Sequence, residues 1–145
     1  MLDYMYEHAD YFIWIEKVSQ FAMRQYDAEI DLIAEENAFI YEYKSKKVRV
    51  KGDTPPRTKL YILLHEIGHV SRMVENQNDP TYFMDRSGDA NIREKVMTIA
   101  EEVLAWKKGE DIAKSLGIPI EDAAWRRLVD SSLRKYIDWI KGEQK

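Results

Sequence analysis

A nearly continuous apolar segment follows the two prolines at positions 55 and 56, and it carries two histidines and a glutamate. Its apolar residues fall on nearly every side of a helix, which is typical of a helix buried at the centre of a domain. They are Leu60, Ile62, Leu63, Leu64, Ile67 and Val70. Placing His65, Glu66 and His69 among them costs free energy unless these polar groups find partners. The segment therefore predicts a central helix built around a polar site.

These polar residues have the spacing of a metal-binding motif, His-Glu-x-x-His. One helical turn takes about 3.6 residues, so His65 and His69 lie on the same face and both can reach a zinc ion at about 2.0–2.1 Å. Glu66 lies beside the metal, where its carboxylate can accept a proton from a metal-bound water. Gly68, inside the same helix, costs about 1 kcal/mol relative to alanine. It indicates either close packing with another element or a tolerated glycine.

A third ligand is required, because catalytic zinc usually takes three protein side chains and keeps one position open. The chain has no cysteine, which excludes thiolate ligands. His8 lies near the start of the chain and is expected to be a surface residue, whereas Glu101 and Glu102 follow the motif on a later predicted helix. The two glutamates point about 100° apart, so one of them can face the metal. Helical periodicity does not choose between them.

The two segments resemble the zincin metallopeptidases of the gluzincin type, in which HExxH is followed by a glutamate on a later helix. Leu63–His69 and Glu101–Trp106, in so small a chain, look like compact ImmA/IrrE-type and related phage-encoded zinc peptidases. In those proteins a glutamate three residues before a small alanine commonly matches the ligand position. That pattern falls here on Glu102, with Ala105 as the small residue. The resemblance covers residues 55 to 108.

The resemblance implies one Zn²⁺ per chain, held by His65, His69 and Glu102, with Glu101 as the alternative third ligand. It implies hydrolysis of peptide bonds in a peptide or protein substrate through a metal-activated water. Glu66 would act as the general base and then pass the proton to the leaving amine.

Two tyrosines are candidates for stabilising the negative charge that develops on the substrate oxygen. Tyr82 lies in the polar segment 75–88, which contains Asn, Pro and Gly and is predicted to be a surface loop or lid. Tyr136 lies in the last predicted helix. A tyrosine hydroxyl at either place could donate a hydrogen bond to the oxyanion.

Other functions are compatible with the same scaffold, since a fold does not fix an activity. One alternative is a metal-binding, non-proteolytic regulator or a phage defence or counter-defence protein. Another is a module associated with a DNA-binding partner, or one whose basic hairpin at residues 44–51 contacts DNA. Glu66 favours the enzyme, because a structural metal site needs no general base. The net charge of −4 argues against a general nucleic-acid binder.

Helical periodicity predicts three further helices, over residues 8–24, 90–108 and 121–140. The helix over 90–108 has an apolar stripe that is expected to face the core. The stripe consists of Ile92, Val96, Ile99, Val103 and Trp106. Gly109 is expected to end or interrupt this helix.

β-Branched and aromatic residues predict a β-hairpin between the first helix and the HExxH helix. Its strands cover 38–43 and 47–51, joined by residues 44–46. In the second strand, charged residues alternate with Val48 and Val50, as expected for a strand with one buried face. Because it precedes the HExxH helix, this strand is the candidate edge for binding an extended substrate. The predicted fold class is α+β, a small, mostly helical zincin-like domain with a short β-sheet or hairpin packed on the HExxH helix.

At 145 residues the chain is expected to form a single domain over positions 1–145. No run of about 18 apolar residues is present that could span a membrane. The N-terminus lacks the basic start and apolar stretch of a secretory signal. Together with the absence of cysteine, this favours the cytoplasm, or the host cytoplasm for a phage-encoded protein.

Overall fold

The computed structural model describes residues 6–76 and 91–142, which form four helices and a three-stranded sheet. In chain order the elements are α1 His8–Tyr26, β1 Ala28–Ala34, β2 Ala38–Glu42, β3 Ser45–Lys51, α2 Pro56–Glu75, α3 Ile92–Ser115 and α4 Asp122–Lys141. The predicted α+β class is confirmed. Among the described residues, no helix has the length and apolar character needed to cross a membrane. Positions 77–88 of the predicted loop, which include Tyr82, lie outside the described residues.

The HExxH helix, α2, forms the centre of the core, as its sequence predicts. It begins at Pro56, whose missing N–H would have no partner in a first turn. It packs against α1, α3 and the sheet. Six of its apolar side chains have no exposed surface, namely Leu60, Leu63, Leu64, Ile67, Val70 and Met73. Polar groups buried on α2 therefore need partners on the neighbouring elements.

The sheet has the strand order β1-β3-β2, with β1 parallel and β2 antiparallel to β3. The sequence prediction missed β1, so the predicted hairpin is two strands of three. Val48 and Val50 of β3 are fully buried, which confirms the predicted alternation. β3 therefore lies at the middle of the sheet, and the strand next to the metal motif in sequence is not an edge.

The predicted connection of the hairpin over residues 44–46 is wrong. Glu42 pairs with Ser45, so the turn consists of Tyr43 and Lys44 alone. Both turn residues have positive φ, at 50° and 66°. Two-residue turns of this kind match the right-handed twist of the strands they join.

Helix α3 is longer than predicted and buries a different face. Its start is fixed by Asn91, whose side chain accepts a hydrogen bond from the Glu94 N–H at 2.8 Å. Ile92, Val96 and Val103, from the predicted apolar stripe, are 61%, 53% and 43% exposed. The buried residues are Thr98, Glu101, Glu102, Ala105, Trp106, Gly109, Ile112 and Ala113. Of the predicted stripe, Trp106 is buried and Ile99 half-buried, whereas the other three residues are exposed, because small and polar residues face α2.

The backbones of α2 and α3 are in direct contact at two glycines. A Cβ atom added to Gly68 would lie 2.2 Å from the carbonyl oxygen of Ala105. One added to Gly109 would lie 2.7 Å from the carbonyl oxygen of Leu64. Close packing is thus the reason for Gly68, and α3 continues through Gly109 rather than ending there. The contact brings the histidines of α2 next to the glutamates of α3.

Helix α4 is anchored at both ends. The Glu121 carboxylate, just before its first turn, accepts hydrogen bonds from the Tyr11 hydroxyl at 2.7 Å and from Arg57 at 2.5 Å. The Glu121 N–H donates to the Tyr61 hydroxyl at 2.9 Å. Near its other end, Lys95 Nζ donates to the Trp139 carbonyl oxygen at 3.2 Å. These contacts hold α4 in position opposite the sheet, and the cleft described below lies between the two.

Candidate metal centre

His65, His69 and Glu102 meet where α2 and α3 cross. The two carboxylate oxygens of Glu102 lie 3.1 Å from His65 Nε2 and 3.0 Å from His69 Nε2. Glu102 is only 2% exposed. One ligand atom from each of the three residues lies within 4.8 Å of the others, so a single ion could contact all three. Two imidazoles and a carboxylate are a donor set that catalytic zinc uses, so these residues fit the metal that the motif implies.

Glu101 lies beside this group but contacts the opposite side of His69. Its Oε2 is 3.1 Å from His69 Nδ1, while its Oε1 accepts a hydrogen bond from Arg72 Nε at 2.8 Å. Of the two glutamates, Glu102 is the one that reaches both histidines. The structure thereby separates two residues that helical periodicity left equivalent.

His65 is held differently from His69. Its ring stacks on the indole of Trp106, with centroids 4.0 Å apart and planes inclined by 21°. Its Nδ1 is buried and has no hydrogen-bond partner among the described residues. Packing against an aromatic ring, rather than a hydrogen bond to its outer nitrogen, therefore orients this imidazole. The sequence placed Trp106 on a general core stripe and did not assign it to the site.

The electrostatics of the metal-free site centre on His69. Burial alone lowers the pKa of this imidazole, but its hydrogen bonds to Glu101 and Glu102 outweigh burial and raise the pKa to about 9. Burial raises the pKa of Glu102, yet the two histidines hold it well below its usual range. At neutral pH the metal-free site therefore contains a protonated His69 between two carboxylates.

We expect this charge arrangement to stabilise the metal-free fold within a limited pH window. The His69 pKa rises from 6.5 to about 9 on folding, so its contribution is complete below about pH 6.5 and is lost as the pH rises through 9. The Glu102 pKa is lowered from 4.5, so its contribution exists above about pH 4.5 and disappears on further acidification. Chelator-treated protein should lose roughly 3 kcal/mol of unfolding free energy between pH 6 and pH 9.5.

Urea unfolding in the presence of EDTA at the two pH values measures this loss. Glu102→Gln serves as the control, because removing one carboxylate should flatten the dependence. A metal-free wild type equally stable at both pH values would contradict the charge assignment.

The three residues lie on the floor of a cleft with a volume of about 740 Å³. Glu66, which is buried at its base, also lines the cleft. On the sheet side the wall is formed by Asn37, Ala38 and Phe39, and on the α4 side by Leu128, Ser132, Tyr136 and Trp139. The arrangement leaves the ligand group buried in the protein yet reachable from solvent along one side.

Of the other residues singled out in the sequence, one lines this cleft and one lies outside it. Tyr136 is half-buried and lines it. His8 is exposed at the first position of α1, as expected, and takes no part in the site. The prediction that the strand preceding α2 offers the substrate edge is wrong, because β3 is paired on both sides. The strand that lines the cleft is β2, which contributes Ala38 and Phe39.

Comparison with models of protein families, with curated proteins and with solved structures finds no match to this chain. A function for it is therefore inferred from the geometry of these side chains and from the motif that they form.

Proposed function

We propose that this protein is a zinc-dependent metallopeptidase. The observation that carries the proposal is the buried His65–His69–Glu102 group, with ligand atoms within 4.8 Å of one another, at the floor of an open cleft. A structural zinc site is closed by four protein ligands, whereas a catalytic site has three and keeps one position accessible. Three candidate ligands beneath a cleft match the second description.

Zinc bound by these residues would polarise a scissile carbonyl and make water a nucleophile at neutral pH. The protein's own contribution to the chemistry is Glu66, which follows His65 directly and lines the same cleft. Its carboxylate would remove a proton from the attacking water and deliver it to the leaving amine.

The walls of the cleft favour an extended peptide as the substrate. In the described sheet β2 is the strand after β3, and its residues Ala38 and Phe39 line the cleft. A substrate peptide lying in the cleft would run between this strand and α4. Its side chains would contact α4, where Tyr136 lines the cleft and is a candidate for donating a hydrogen bond to the oxyanion.

The first test is the zinc content of the purified protein. We expect about one zinc per chain, because a single ligand group of this kind is present among the described residues. His65→Ala and Glu102→Ala should lose the metal, while Glu101→Ala should still take up one equivalent. Elemental analysis after dialysis against zinc gives the stoichiometry. A wild type that takes up no zinc would refute the proposal.

The second test is hydrolysis. Zinc-loaded protein is incubated with a library of peptides from a digested proteome, and new termini are identified by mass spectrometry. Cleavage that a chelator abolishes and added zinc restores would support the peptidase. Zinc binding with no cleavage of peptides or folded proteins would favour the non-proteolytic regulator.

A further inference from the structure

We propose that Glu101 is a positioning residue that orients His69 from outside the metal site, and that Arg72 holds Glu101 in place. The inference rests on the proposed metal site, but it concerns contacts that a peptidase activity does not by itself require. Under this proposal Glu102 is a metal ligand and Glu101 orients a ligand, whereas the sequence left both as candidates for the third ligand.

The two ring nitrogens of His69 face different glutamates. Nε2 faces Glu102 at 3.0 Å, on the side shared with His65, whereas Nδ1 faces Glu101 at 3.1 Å. A neutral imidazole binds a metal through one nitrogen and carries its proton on the other. If Nε2 serves the metal, Nδ1–H must donate, and Glu101 is the acceptor within reach. This hydrogen bond fixes the tautomer and the ring plane of His69.

Arg72 accounts for the direction of the Glu101 carboxylate. It lies three residues after His69 on α2, so its side chain is on the same face of the helix. Its Nε donates to Glu101 Oε1 at 2.8 Å, which leaves Oε2 for His69. Each oxygen thus has its own partner, and the guanidinium charge offsets that of a carboxylate whose side chain is 10% exposed.

The geometry argues against Glu101 as a ligand. Its contact with His69 is made through Nδ1, on the side of the ring away from the shared Glu102 contact. No contact links it to His65 among those the structure gives, whereas Glu102 contacts both histidines. A rotation that brought Glu101 toward the ligand group would break the contacts with both His69 and Arg72.

Glu101→Gln tests the assignment through zinc affinity, measured by competition with a chromophoric chelator. We expect one zinc per chain to be retained and the affinity to fall about 10- to 100-fold, the range for outer partners of metal ligands. With Co²⁺ as a probe, the visible absorption bands should keep the positions and intensity of the wild type, because the ligands are unchanged. Glu110→Gln, on the same helix but paired with Lys107, should match the wild type.

Arg72→Gln provides an independent test if Glu101→Gln does not fold, which circular dichroism of the metal-free protein would reveal. It should weaken zinc binding in the same direction, and Arg72→Lys should recover part of the loss. The variant that combines Glu101→Gln with Arg72→Gln should lose no more zinc affinity than Glu101→Gln alone, because Arg72 acts through Glu101.

Three results would overturn the inference. Wild-type affinity in Glu101→Gln would remove the positioning role while leaving the peptidase proposal intact. Altered Co²⁺ bands together with lost stoichiometry would make Glu101 a ligand. A wild type that binds neither zinc nor Co²⁺ would remove the metal site itself, and the proposed function with it.

Discussion

Glu66→Gln is expected to bind zinc as the wild type does and to hydrolyse peptides about 10²- to 10⁴-fold more slowly, the usual contribution of a general base. Glutamine has nearly the same shape as glutamate but cannot accept the proton of the attacking water. The metal content should stay at one per chain, because Glu66 is outside the ligand group of His65, His69 and Glu102. Initial rates on a peptide found in the library measure the effect.

The control for Glu66→Gln is the same substitution at Glu75, near the end of the same helix. Glu75 pairs with Lys108 and does not line the cleft. Its variant should therefore keep the wild-type rate. If Glu66→Gln hydrolysed peptides as fast as the wild type, the proton would be removed by another group and the proposed mechanism would be wrong.

Gly68→Val should be the most damaging single substitution for the fold and the site together. Even one added carbon would meet the Ala105 carbonyl oxygen at 2.2 Å, and neither atom can move without its backbone. The helices would have to separate by about 1 Å, so we expect a loss of about 4 kcal/mol or more, beyond the usual cost of overpacking. Zinc affinity should fall at least about tenfold, because site geometry must hold within about 0.5 Å.

Urea unfolding and zinc titration of a graded series test this expectation. Gly68→Ala should have a smaller effect of the same kind, and Gly109→Ala, with a contact of 2.7 Å, a smaller one still. Gly52→Ala is the control, since its added carbon would meet Ile33 at 3.1 Å, and neither residue lines the cleft. Unchanged zinc binding in a folded Gly68→Val would show that helix spacing does not set the site.

The burial of α2 and the pairing of its two histidines follow directly from the sequence. An apolar surface around the whole helix leaves one arrangement, and a four-residue spacing fixes one face. The reason for Gly68 was available as one of two interpretations, and the structure chose between them by showing what lies beside it.

The orientation of α3 could not be obtained in this way. Periodicity identifies the most apolar face of a helix, but in α3 the close approach of α2 favours a face of small residues instead. Glu101 and Glu102 are tolerated on that buried face because His65, His69 and Arg72 supply their partners. Those partners lie 29 or more positions away in sequence, beyond the reach of a local pattern.

Strand β1, which the sequence prediction missed, has the alternating pattern of a strand. Glu29 and Asp31 alternate with Ala28, Ile30 and Leu32, the period of a strand with one buried face. Without β1 the strand before α2 looked like an edge. The parallel pairing of β1 with β3 places β3 inside the sheet, and the strand that lines the cleft is β2.

The hydrogen bond from Tyr11 to Glu121 lets α1 help to fix the position of α4, which forms one wall of the cleft. No described residue of α1 lines the cleft itself. All the candidate ligands and the proposed base lie between positions 65 and 102. A shorter fragment that contains only those residues would lack the contact between α1 and the start of α4. The distance between the two walls of the cleft would then lose one of its supports. A fragment that keeps the shape of the cleft must therefore include α1, although the candidate ligands and the proposed base all lie on α2 and α3.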